Sequence, residues 1–395
     1  MEESTEDRLY PFCDPLALEN RLTDQERGPL HRLRGVLDEH AQPLLARHWE
    51  AGTFPHELVP RLIDADLIAP PEFDGAPARR LYEGFRTFEL ARTDASLATF
   101  FNAQAGLFRT ACRLGGTTEQ AAAWDPEITS WRTRGVFCLT EPDHGSDIAK
   151  GLATTARREG DTWVLEGAKR WIGGADTAEV LAVFARDVSD GEVKGFLVDR
   201  GAAGLQVTTI GGKTSLRMMQ NADVVLDGVR VPESRRLGAV ESFGDVAVML
   251  GRLRADVAWI AAGVQAGAYE AARRYVRSRE QFGRTLGGFQ LVQEKLARML
   301  GNLTSSLTMT TALADRQEDG QYRDEDSALA KMTVCRTMRE TVALAREVVG
   351  GNGIVLDHDV ARFHADAEAV YTYEGTHEIN ALVVGRAATG VGAFA

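Results

Sequence analysis

No stretch of this 395-residue sequence approaches the roughly 18 consecutive apolar residues of a membrane-spanning helix, so no membrane partner is expected. Cysteine is scarce. Cys13, Cys112, Cys138 and Cys335 form no CxxC pair and suggest neither a disulfide framework nor a zinc site, which fits a reducing compartment and a cytoplasmic location. The eight histidines are scattered without an HExxH spacing, and no metal is expected. An excess of positive charge is also missing: the formal net charge is -12, which argues against bulk attraction to nucleic acid or anionic lipid while leaving room for a local phosphate pocket. The acidic start, "MEESTEDRLY", lacks the basic residues and apolar core of a secretory signal.

What is present reads as a globular chain, 44% hydrophobic and 26% charged, long enough for two or three packed domains. Leu30, Leu33, Leu37 and Leu44 share one helical face near the start. From about residue 135 the texture changes to short runs rich in β-branched and aromatic residues, such as "GVFCLT", "TWVLEG", "VLAVFAR" and "DVVLDGVRVP". Asp190-Gly191 and Asp227-Gly228 are pairs of the kind that supply positive φ in tight hairpin turns. After Pro232 the helical period returns, in Leu253, Val257, Ala261, Val264 and Ala268, then Leu296, Leu300, Leu303 and Leu307, then Met332, Cys335, Met338, Val342, Ala345 and Val349. The expected fold class is α+β, mainly α. Residues 1–134 form an N-terminal helical domain, 135–242 a middle antiparallel β domain and 243–395 a C-terminal helical bundle.

Chemistry-bearing stretches lie at the edges of these blocks. "FCLTEPDHGSD" leaves a strand near Thr140 and enters a loop that can offer N–H groups and hydroxyls to a polar ligand. "GAKRWIGGA" puts Trp171 on a strand edge, either as a core residue or beside glycines that let something flat approach. "SREQFGRTLGGFQLVQEKLA" holds Arg279, able to clamp a pyrophosphate, and Phe282, able to stack on a base. "REVVGGNGI" ends a helix in a glycine cluster. "YTYEGTHEIN" places Glu374 between an aromatic residue and a glycine where no regular element continues; taken alone, a carboxylate there reads as a solvated surface charge.

"LTEPDHGSD", "KRWIGGA", "REQFGRTLGGFQLVQEKLA", "GGNGI" and "YEGTHEIN", in that order and at those distances, resemble the acyl-CoA dehydrogenase family of flavoproteins from about residue 14 to Phe394. The motifs are most similar to the glutaryl-CoA dehydrogenase and plant short-chain acyl-CoA oxidase branches. The resemblance implies a helical, β and four-helix domain order, FAD as cofactor, an acyl-CoA substrate, a homotetramer and an electron-transferring flavoprotein as partner. It implies that Glu374 removes the α-proton of the thioester. It places FAD against Phe137, Leu139, Thr140, Gly145, Ser146, Trp171, Ile172 and Gly173. Arg279, Phe282, Gln290, Glu347, Gly350, Gly351, Thr376 and Phe394 would hold its remainder, and Ser146, Ala98, Arg254, Tyr373 and Gly375 the substrate. His377 is expected to make a structural hydrogen bond near the base.

Two departures stand out. Ala98 occupies the position where the glutaryl branch carries an arginine for the distal carboxylate, and Ala91 replaces a glutamate of the same site, so glutaryl-CoA is disfavoured. Gly173 stands where many family dehydrogenases have threonine. A missing side chain there leaves room beside the flavin, so an acyl-CoA oxidase remains an alternative. A flavin monooxygenase on this fold and a non-catalytic helical interaction protein are the other readings.

Overall fold

The computed structural model describes residues 8–393, and in them the chain divides into two compact units. One comprises the residues up to Ala98, Thr214–Met218 and those from Arg254 onward; the other comprises Thr99–Lys213 and Met219–Leu253.

The first unit is helical. It opens with α1 (Asp24–Val36), α2 (Gln42–Ala51) and α3 (Arg80–Thr93). Thr23 and Glu26 cap α1 reciprocally, each side chain accepting the other's backbone N–H. Between α1 and α2 the chain widens into a π-turn over Leu37–Ala41, just before Pro43, which has no N–H to give the carbonyl one turn back. The widened turn rotates the apolar face. Leu30, Leu33 and Leu37 are buried as their spacing predicts, but the fourth core position goes to Leu45 and leaves Leu44 half-buried.

The long helices follow: α4 (Phe243–Ser278), which belongs to this unit from Arg254 onward, α5 (Gln290–Glu318) and α6 (Asp324–Val349). Leu253, Val257, Ala261, Val264 and Ala268 of α4 are buried, as are Cys335, Met338, Val342, Ala345 and Val349 of α6. On α5 the stripe is buried only at Leu303 and Leu307, with Leu296 and Leu300 half-covered. A buried polar contact fixes the register of the three: the Gln265 amide donates to Ser306 Oγ at 2.9 Å and accepts from Thr341 Oγ1 at 3.3 Å. Two shorter helices, α7 (Val360–Thr372) and α8 (His377–Thr389), complete the unit. The buried guanidinium of Arg362 joins α7 to the end of α3, donating to Asp94 Oδ2 at 2.6 Å and to Asp359 Oδ1 at 2.6 Å. Asp94 in turn accepts the N–H groups of Ser96 and Leu97.

The second unit is built on a sheet of β1 (Gly135–Cys138), β2 (Thr155–Glu159), β3 (Thr162–Gly173), β4 (Val180–Asp187), β5 (Val193–Asp199), β6 (Leu205–Thr209), β7 (Asn221–Pro232) and β8 (Arg236–Leu237). The strands run in the order β6-β7-β3-β2-β4-β5-β8, with β1 also beside β4. The sheet is mixed rather than wholly antiparallel, because β4 pairs in parallel with both β1 and β2. Both connections are long enough for the crossover that parallel pairing requires. Leu181 and Val183 pack on one face and Ala182 and Phe184 on the other, so β4 is buried on both sides and reads as a continuous apolar run.

The two Asp-Gly pairs diverge. Asp190-Gly191 does join β4 to its antiparallel neighbour β5. Asp227-Gly228 lies inside β7, where Gly228 (φ 64°) makes a bulge: three steps from Leu226 to Val229 oppose two from Gly167 to Leu165.

Candidate active site

The turn between α7 and α8 carries Glu374. The Tyr373 N–H closes α7 on Ala369 O, then Glu374 (φ 52°) and Gly375 (φ 90°) take left-handed conformations in succession, and Thr376 Oγ1 starts α8 by accepting the Ile379 N–H. A left-handed glutamate costs about 1 kcal/mol and persists only where its surroundings enforce it. Asn380 enforces it by donating to the carbonyls of Gly375 and Thr376, both at 2.9 Å, and the buried Lys331 ammonium donates to Gly375 O as well. His377 stacks on Tyr371 with ring centroids 5.4 Å apart, and its Nδ1 has no hydrogen-bond partner among the described residues, so a ring contact stands where a hydrogen bond was expected.

Glu374 is half-covered as a residue, yet its Oε2 is sealed from solvent and has no hydrogen-bond partner among the described residues. Burial pushes its carboxyl up to about 8; the negative charge of Asp256 adds to this, and Lys331 and Arg254 pull the other way. Asp256 is itself raised, to about 7, by burial and by Glu83 against the pull of Arg80 and Arg86. Arg254 pairs with Asp324, while its Nε has no hydrogen-bond partner among the described residues and lies 3.8 Å from where a Cβ on Gly375 would stand. Lys331 and Asp256 were not among the expected site residues. Their only sequence signal is a charge set within an apolar helical stripe, Lys331 beside Cys335 and Asp256 beside Val257.

In the sheet unit, the exit from β1 is held by a buried ion pair. Lys169 Nζ donates to Glu141 Oε1 at 2.8 Å and to Leu139 O at 3.1 Å, and Glu141 accepts the N–H groups of Ala153 and Thr154. Burial works against the Glu141 charge, but Lys169 prevails and the carboxyl lies below its usual range. The Arg170 N–H donates to Thr140 O at 2.8 Å, fixing Thr140 beside the end of β3. Gly145 and Ser146 lie exposed on the following loop. Phe137 turns its ring onto Phe184, 4.7 Å between centroids, and Leu139 and Ile172 are buried in the two sheet cores. Of these residues, Thr140, Gly145, Ser146 and Trp171 present side chains or backbone outward.

Trp171 is not a core residue. It is 51% exposed, takes φ 65°, and lies under the Arg170 guanidinium at 4.9 Å. Gly173 departs from expectation too. A Cβ built on it would meet the Met219 methyl at 2.4 Å, so the space that a missing side chain was expected to leave is filled by Met219.

At the other end of α4, Arg279 follows the last helical residue and carries a guanidinium without an ion-pair partner among the described residues. Phe282, 93% exposed at φ 53°, sits between the paired strands Glu280–Gln281 and Arg284–Thr285. Gln290 is the exposed first residue of α5. Gly350 (φ 66°) caps α6 and Gly351 follows it on the surface, while Glu347 forms a 3.1 Å ion pair with Lys295. Phe394 lies outside the described residues.

Three family models match the chain: "Acyl-CoA dehydrogenase, N-terminal domain" over residues 23–132, "middle domain" over 136–229 and "C-terminal domain" over 243–389. The chain belongs to the acyl-CoA dehydrogenase family. It is 30% identical to a 3-(aryl)acrylate reductase of Clostridium sporogenes over 89% of this chain and 95% of that one. It is also 30% identical to the mitochondrial short-chain specific acyl-CoA dehydrogenase of Bos taurus, over 89% and 87%. A glutaryl-CoA dehydrogenase from Mycobacterium smegmatis, solved in complex with FADH2, superposes with a TM-score of 0.90 at 31% identity, covering 96% of this chain and 98% of that one.

Family members are FAD-dependent oxidoreductases acting on acyl-CoA. Each unit offers groups of the kind such a cofactor needs: the sheet unit exposes the Trp171 ring, and the helical unit exposes the Phe282 ring and an Arg279 guanidinium without an ion-pair partner among the described residues. No helix among the described residues is long and apolar enough to cross a membrane.

Proposed function

We propose that this chain converts a short or medium, uncharged acyl-CoA to the trans-2-enoyl thioester, with Glu374 taking the α-proton. The observation that carries this reading is the setting of Glu374: on a turn whose geometry is held from two sides, one carboxylate oxygen is sealed from solvent while the residue stays half-covered, and burial raises the carboxyl to about 8. The α-carbon of a thioester is a poor acid, and a carboxylate raised that far accepts its proton more readily than a solvated one near 4.3. Glu374 Oε takes the proton as the Cα–H bond breaks. The Glu374 backbone N–H has no acceptor among the described residues, which leaves it free to donate to the thioester oxygen as negative charge develops there. FAD, when bound, supplies the acceptor for the hydride leaving the β-carbon. By the family resemblance, Arg279 and Gln290 would hold the diphosphate and adenosine portion of an FAD, commonly across a subunit boundary, and Trp171 and Thr140 would border a flavin ring.

Electrons then pass to an electron-transferring flavoprotein, and four chains assemble. The alternative of an acyl-CoA oxidase, drawn from the resemblance to the plant branch and from Gly173 and Gly174, would need room for O2 at Gly173, against which the Met219 methyl lies.

Ala98 is buried and apolar, and the Ala91 methyl faces Gly263 of α4, 2.6 Å from where a Cβ there would stand. A distal carboxylate set against these residues would have no partner, so glutaryl-CoA is a poor substrate.

Anaerobic mixing of the FAD-loaded protein with a panel of acyl-CoAs tests both points. Butyryl-CoA or a branched short acyl-CoA should bleach the flavin much faster than glutaryl-CoA, with no carbon dioxide released. The rate under limiting substrate should climb with pH and level off above about 8, because the base acts only when deprotonated. Rapid bleaching by glutaryl-CoA with release of carbon dioxide would reverse the assignment of substrate.

A further inference from the structure

Lys331 is 1% exposed, and no carboxylate lies within ion-pair distance of its ammonium among the described residues. Its hydrogen bonds go to two carbonyls, Gly375 O and, at 3.4 Å, Tyr371 O, one on the Glu374 turn and one in the last turn of α7. A buried ammonium held only by carbonyls lacks a counter-charge at contact distance, and burial pulls its pKa down, so the ionisable groups around it decide how well it keeps its charge. Those facing it are Cys335 on its own helix, Glu374 on the turn, Glu378 on α8 and Arg254 on α4. Cys335 is pushed up to about 11 by burial and stays neutral, and Glu378 lies on the exposed face of α8. Glu374 is the group left to balance the charge.

We propose that Lys331 is a positioning residue for the base, fixing the turn through the Gly375 carbonyl and serving as the buried counter-charge of the Glu374 carboxylate. The proposal rests on the reading of Glu374 as base. Two effects follow from one side chain. The hydrogen bond to Gly375 O helps hold Glu374 left-handed, which aims its carboxylate. The charge favours the ionised form of Glu374 over the protonated form, opposing the burial and the Asp256 charge that favour the proton. Lys331 therefore keeps a deliberately buried base available near neutral pH. The ammonium takes no part in bond making: the α-proton still moves from carbon to Glu374 Oε and from there to solvent after product leaves.

The test compares FAD-loaded unaltered protein with Lys331→Met, Lys331→Arg and Glu374→Gln. The readout is the anaerobic flavin-reduction rate with butyryl-CoA from about pH 6 to 10. Lys331→Met should move the inflection of the profile upward by about one unit, slowing reduction roughly tenfold at pH 7 and recovering most of the rate at the alkaline end. Lys331→Arg keeps the charge and should keep the inflection. A uniform loss of rate in Lys331→Met with an unmoved inflection would overturn the proposal, as would loss of FAD from both Lys331 variants while Glu374→Gln retains it, since either leaves a purely structural lysine. A normal rate in Glu374→Gln would instead remove the base assignment itself, and the proposal with it.

Discussion

Glu374→Gln should retain FAD and lose substrate-driven flavin reduction by a factor on the order of 10³ or more, because the substitution keeps the shape of the side chain and removes its ability to take a proton. The turn itself should survive. The contacts that hold it, from Asn380 and Lys331, go to the carbonyls of Gly375 and Thr376 and not to the Glu374 side chain. Oε2 has no hydrogen-bond partner among the described residues, so an amide in its place breaks none of their hydrogen bonds. Visible absorbance of the purified variant reports FAD, and stopped-flow mixing with acyl-CoA reports the rate. Reduction within a few-fold of the unaltered rate would mean that another group removes the proton.

The second large effect concerns stability. Arg362→Met leaves Asp94 buried with no cation beside it, a loss of roughly 3–5 kcal/mol by analogy with other broken buried pairs. Asp94 keeps the N–H groups of Ser96 and Leu97, which soften the loss without replacing the charge. Asp366 is close enough to make matters worse: its buried carboxyl is raised by burial and by the Asp94 charge, and Arg362 is among the groups that offset this. The double variant Arg362→Met/Asp94→Asn should therefore recover a substantial part of the loss, since the uncompensated charge goes with the second substitution. Thermal denaturation of the three proteins checks this. Additive losses in the double variant would show that the pair is not coupled.

Much of the helical architecture was legible because apolar spacing is a direct record of burial. The stripe on α4 is buried where it was expected, and so is that on α6 apart from Met332, which is half-buried. Legibility ended where two structures satisfy the same local pattern. Asp-Gly supplies positive φ equally to the β4–β5 hairpin and to the β7 bulge, and only the pairing with β3 tells them apart. The run "VLAVFA" records burial on both faces of β4 but not the direction of its neighbours, so the parallel pairings were hidden. The π-turn before Pro43 moved a core position by one residue, which a fixed period cannot anticipate.

Within the site, the turn carrying Glu374 was readable from a glutamate and glycine between two helical patterns. Its electrostatic setting was not. Lys331 precedes Glu374 by 43 residues and Asp256 by 118, and each is a lone charge in an apolar stripe that packing alone brings toward the base. Met219 is a similar case: nothing local connects it to Gly173, yet its methyl occupies the space that decided how that glycine was read.

The most direct test of the central claim isolates proton abstraction from oxidation. FAD-loaded protein is incubated in D2O with an acyl-CoA thioester that carries α-hydrogens and no removable β-hydrogen, and deuterium at the α-carbon is followed by mass spectrometry. The unaltered protein should introduce deuterium at the α-carbon, faster as pH rises toward about 8, and Glu374→Gln should not. Equal exchange by both proteins would contradict the assignment of Glu374 as the base.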